Sequence, residues 1–158
     1  MESTYFSQLQ TWDVHQKINR FILNHIDEDL LMERPSDEEK SVGAHFGHMH
    51  TVRLMWLQVS APDLWDKLQR IDKQRLGSIF YLQQQLKASG KAIHEMLDRS
   101  FQSQKVMGFS GTPDLFLGYL IAQESHYRGQ ILLTLKVNDH AIPLDFEQAI
   151  WDWAKMAK

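Results

Sequence analysis

Apolar residues recur at helical spacing along four long stretches of this chain, and no stretch alternates β-branched with polar residues as a strand would. Leu9, Val14, Ile18, Phe21 and Ile22 predict a first helix over residues 4–26, which ends near Pro35 and the acidic DEDLLMERP segment. A second helix is signalled twice at its start, by Ser36 with Glu39 as a capping box and by Ser41 ahead of the apolar run. It extends to Val59, before Ala61-Pro62. Residues 62–75 place Trp65, Leu68 and Ile71 in a charged context and fit either a short helix or a loop. Ile79, Leu82, Leu86, Ile93 and Leu97 mark one face of a third helix from Leu76 to Leu97, which tolerates Gly90 at a cost of about 1 kcal/mol. Thr112 and Pro113 open a fourth helix that runs to Val137, and FEQAIWDWAKMA makes a short final helix. The expected fold class is all-α: one domain over residues 1–158, a four-helix bundle with a short C-terminal helix packed on it.

The fourth helix carries the most chemistry. At about 100° per residue, Phe116, Tyr119, Gln123, His126, Tyr127, Gln130 and Thr134 fall on one stripe. Leu117, Leu120, Ile131 and Leu135 flank it on one side, and Leu115, Ala122 and Leu133 on the other. A polar stripe with apolar borders is expected to face inward. It reads either as an internal polar pocket for a small molecule or as a core network in which Gln, His and Tyr bond one another. On the back of the helix, Ile121 and Leu132 bracket Ser125 and Arg128, a surface too apolar for water. That predicts a homodimer packed there, with the terminal helix and its Trp151 and Trp153 as the competing cover.

In the second helix, SVGAHFGHMHTVRLMWL places His48 on an inward line with Ala44, Thr51, Val52 and Met55. His45 sits at its edge, and His50 points away with Phe46 and Arg53. No two of these histidines have the i, i+4 spacing that lets one helix grip a metal with two imidazoles. A lone histidine on an apolar face is more often a hydrogen-bonded core residue than a ligand. His15, His25, His94 and His140 read as surface or packing residues.

Composition narrows the function classes. The chain has 158 residues, enough for one core without staples, and a formal net charge of −3 with acids and bases interspersed. It has no electrostatic footprint for nucleic acid or an anionic membrane. The absence of cysteine removes disulfides, thiolate nucleophiles and sulfur metal ligands. MESTYFSQLQTWD does not read as a signal peptide and LFLGYLIA is too short to span a bilayer, so the expectation is a cytoplasmic protein. Neither a phosphate-binding glycine loop nor a nucleophile elbow is present.

Three segments together resemble the DinB-like superfamily: SVGAHFGHMHTVRLMWL, its second helix; AQESHYRGQILLTLK, its HExHHRGQI signature; and PLDFEQAIWDWAK, the terminal Trp-rich helix of one branch. The resemblance covers nearly the whole chain. It implies an up-and-down four-helix bundle, often dimeric, with a divalent metal such as zinc or nickel. Three histidines hold that metal, one on the second helix and two at i, i+4 before the Arg-Gly-Gln. Carried over by position, the ligands fall on His48, Gln123 and Tyr127, while His126 matches a non-ligating neighbour and Arg128 and Gln130 match the signature. A neutral amide and a phenol of ordinary pKa, about 10, bind such metals poorly. The resemblance therefore implies a bundle with a degenerate metal site, keeping a pocket lined by His48, Gln123, His126 and Tyr127 that takes a small molecule. The alternatives are a metal-dependent thiol transferase or hydrolase-like enzyme anchored by His48, and a structural or interaction module without catalysis.

Overall fold

A computed structural model describes residues 4–158, and every regular element among them is helical. The long helices are α1 (Phe6–His25), α2 (Val42–Ser60), α4 (Ile79–Ser103) and α5 (Pro113–Val137); short ones are α3 (Pro62–Trp65), α6 (Leu144–Ala149) and α7 (Trp153–Met156). Local chemistry sets their starts. Ser41, Ser78 and Thr112 each accept a hydrogen bond from the backbone N–H three residues on, at 3.1, 3.2 and 3.3 Å, and Pro113 sits in the first turn of α5. The rival start at Ser36 is a turn: its hydroxyl donates to Glu39, but no helix follows. α4 continues past the expected end at Leu97, because Ser100 and Phe101 extend its buried face. It stops at Gln104, whose φ of 56° is left-handed.

α1 and α2 each pack on both α4 and α5, a pattern compatible with a four-helix bundle. The apolar interior falls into two clusters. One gathers Trp12, Leu57, Leu97, Phe101 and Phe116; the other gathers Ile18, Ile22, Phe46, Leu82 and Ile131. Gly90 permits the close approach of α1 to α4, since a Cβ there would run into the Gln16 amide. The cost of a mid-helix glycine is thus set against tight packing.

α2 differs from expectation. Phe46, His50 and Arg53, expected to face away, are fully or almost fully buried. The two ring nitrogens of His50 lie 2.7 Å from the carbonyl of Gln69 and 3.1 Å from that of Gln85, so the loop after α3 closes over this face. At Gly43 a Cβ would meet the backbone carbonyls of Leu76 and Leu31. Residues 62–75 resolve into α3 and a 3-10 turn at Lys73–Arg75.

The predicted single terminal helix is two, α6 and α7. α7 packs on α1, where Lys17 Nζ donates to the Met156 carbonyl at 3.0 Å, and Trp151 is exposed. The back of α5 is partly covered within the chain. Arg128 reaches Asn19 of α1 at 2.8 Å, while Ile121 and Leu132 pack against the two apolar clusters. A second copy is therefore not required to cover that face. Among the described residues, no helix is long and apolar enough to cross a membrane.

Candidate functional site

Two polar groupings are built from these helices. The first lies at the centre, between the two apolar clusters. Arg53 of α2 grips Glu124 of α5 with two bonds, Nε to Oε2 at 2.8 Å and Nη2 to Oε1 at 2.7 Å. Its Nη1 donates to the Leu86 carbonyl at 3.0 Å and to Ser89 Oγ at 3.2 Å, both on α4. From α1, Asn19 Nδ2 donates to Glu124 Oε1 at 2.9 Å, and His15 Nε2 lies 3.1 Å from the same oxygen. Arg128 Nη1 lies 3.4 Å from His15 Nδ1, so the neutral tautomer with its proton on Nε2 satisfies both nitrogens. Burial lowers the His15 pKa below 6.5, against the pull of Glu124, consistent with that tautomer. Burial alone would raise the Glu124 carboxyl, but the Arg53 charge and the bonds from Arg53 and His15 outweigh it and bring the pKa down to about 2.

Sequence reasoning missed this centre, and His15, expected at the surface or in packing, is fully buried within it. A signal was available. Glu124 sits in register with Leu117, Leu120, Ile131 and Leu135, and Arg53 with Phe46, Met49 and Leu57. One acid and one base, each on an apolar helical line, mark a buried pair.

The second grouping lies in the seam where α2 meets α5, and it contains the residues picked out from sequence. His48 Nε2 is 3.1 Å from Tyr127 Oη, and the rings meet edge to face with centroids 4.8 Å apart. His45 and His126 also bring their rings to Tyr127, at 6.3 and 5.8 Å. Burial and the nearby Lys40 lower the His48 pKa, which favours the neutral imidazole, and its tautomer sets whether Nε2 accepts the phenolic hydrogen or donates to the phenolic oxygen. His45 is lowered by burial first, then by Lys40, His48 and His126. Two buried atoms here lack a hydrogen-bond partner among the described residues, Gln123 Oε1 and His45 Nδ1.

The polar stripe of α5 is not an interior surface. Phe116 and Thr134 are buried, Gln123, Tyr127 and Gln130 are half-buried, and Tyr119 and His126 are exposed, so the stripe runs along the seam. The inward face is its neighbour, Leu117, Leu120, Glu124, Ile131 and Leu135. A cavity of about 660 Å³ lies instead between α1 and α4, and none of His48, Gln123, His126 and Tyr127 lines it.

Comparison with family models matches residues 1–143 to the DinB family. The chain belongs to the DinB family. Comparisons with curated proteins and with solved structures gave no match.

The metal that the DinB resemblance implies can be tested against these side chains. Of the three ligand positions, only His48 presents an imidazole, and its Nε2 is engaged by the Tyr127 hydroxyl. Gln123 offers a neutral amide oxygen. Among the described residues, no three His, Asp or Glu side chains converge so as to hold an ion. This DinB chain does not fit a tightly bound zinc or nickel. The seam pairs an imidazole with a phenol and, among the described residues, holds two buried atoms without a hydrogen-bond partner.

Proposed function

We propose that this DinB-family chain, an up-and-down four-helix bundle, binds a small polar molecule in the seam between α2 and α5, without a tightly held first-row metal. One observation carries the reading: beside the paired His48 and Tyr127, the buried atoms Gln123 Oε1 and His45 Nδ1 have no partner. A buried polar atom left unpaired costs about 1–3 kcal/mol, which a ligand bearing N–H or O–H donors would recover. Gln123 can only accept through that oxygen, and neutral His45 can do either. The ligand class is therefore an amide, urea or polyol rather than a strong anion.

Elemental analysis of untagged protein, followed by zinc and nickel titration, should show substoichiometric metal and weak binding. Gln123→His with Tyr127→His should raise zinc affinity about a hundredfold or more, since two imidazoles at i, i+4 then meet His48. A tightly held metal in the unmodified protein would overturn the reading, as would a folded double variant that gains no affinity. A thermal-shift screen of small amides, ureas and polyols tests the ligand directly. Its hits should lose their effect in Gln123→Leu.

A second copy of the chain is the proposed partner, docking on the outer face of α5. Leu115, Tyr119, Leu133 and Val137 are exposed there along the length of the helix. Light scattering should report about twice the 18.5 kDa chain mass, and Leu133→Glu should give a folded monomer.

A further inference from the structure

The cavity between α1 and α4 is about 660 Å³, a volume suited to a small organic ligand. Its two halves differ in chemistry. Phe6, Leu9, Val14 and Ala157 supply apolar wall, while Lys17, Arg20, Lys87 and Lys91 bring four cations to the rim. The acid in the lining is Asp13, and His94 Nδ1 already engages it at 2.9 Å. Asp98 and Glu95 also face His94, at that end of the groove.

Among the described residues, none of the four cations is in an ion pair. Lys17 donates to the Met156 carbonyl and Arg20 to the Gln83 amide oxygen, both uncharged acceptors. Neither Lys87 nor Lys91 has an ion-pair partner among the described residues, and they stand at i, i+4 on α4, where like charges repel. A chain with a net charge of −3 thus concentrates positive charge along one groove. Gln16 gives an independent sign of a ligand. It lines the same cavity, is 8% exposed, and donates through Nε2 to the Leu86 carbonyl at 2.8 Å, yet its Oε1 has no partner among the described residues.

We infer that this groove is a binding site for an amphipathic organic acid, whose apolar body lies along Leu9, Val14 and Ala157 and whose carboxylate or phosphate sits among Lys17, Arg20, Lys87 and Lys91. A hydroxyl or N–H on the body would complete Gln16. The site is separate from the α2–α5 seam and shares none of its residues.

Decanoate, decanol and inorganic phosphate, titrated into the full chain by calorimetry and amide NMR, test it. Decanoate should bind, with shifts at residues 9–17 and 87–94, and decanol and phosphate should each bind about tenfold more weakly or worse. Lys87→Glu with Lys91→Glu changes only exposed positions and should weaken decanoate about tenfold at an unchanged melting temperature. Ala157→Trp, which fills the apolar end from the terminal segment, should block binding without the charge change. Equal binding of decanol and decanoate would overturn the inference by showing an apolar crevice only, and phosphate binding as tightly as decanoate would show an adventitious ion only. Shifts confined to His48 and Tyr127 would overturn it too, by moving the ligand to the seam.

Discussion

The bundle centre and the α2–α5 seam use similar side chains to opposite ends. At the centre Glu124 is 2% exposed and Arg53 and His15 are fully buried, and nearly every donor and acceptor is matched by a group from another helix. In the seam His48 and Tyr127 are half-buried, and two atoms beside them are buried without a partner. A closed network has nothing left to offer a ligand. An open one keeps unmet hydrogen bonds, which is why the proposed ligand site is placed in the seam and not at the more deeply buried and charged centre.

The strongest way to break this contrast is Glu124→Ala, which leaves Arg53 buried without its counter-charge. It should cost about 3–5 kcal/mol in urea denaturation, and a loss below about 1 kcal/mol would show that the centre is not closed. Arg53→Met combined with Glu124→Leu should recover most of that loss, because removing both charges also removes their desolvation. Acid titration separates the regions next. His15, His45, His48 and His50 all have pKa values lowered from 6.5 in the fold, chiefly by burial, so the unfolded chain takes up protons first and stability falls as the pH drops below 6.5. His94, raised mainly by its bond to Asp13, runs the other way and is half exposed. The Glu124 contribution is intact above 4.5 and is lost as the pH falls towards about 2. Melting temperature against pH should therefore fall in two limbs, and a flat region between pH 6.5 and 4.5 would remove the histidine limb. The smallest effect is expected from Tyr127→Phe. It should cost under about 1 kcal/mol, since water reaches half-buried His48.

The long helices were legible because their boundaries are written locally, in Ser41, Thr112 and Pro113. The facing of α5 was not. Leu115 and Leu133 are exposed, and their presence on one flank made the polar stripe look enclosed, when only the Leu117 and Leu120 flank turns inward. α2 misled for a related reason. The loop over His50 buries a face that the helix pattern alone assigns to solvent. His48 Nε2 and Tyr127 Oη lie 3.1 Å apart all the same, because a seam position is compatible with either assignment of the inward face.

The central network also dictates an order of assembly. Glu124 lies 71 positions after Arg53 and 109 after His15, on the last long helix to leave a ribosome. Until that helix docks, a nascent chain holding α1, α2 and α4 carries a guanidinium with no counter-ion, and its two apolar clusters cannot be joined without stranding that charge. The first three long helices should then stay loosely associated and exchange their amide hydrogens quickly. Slow exchange should appear in all four together, once residue 124 arrives.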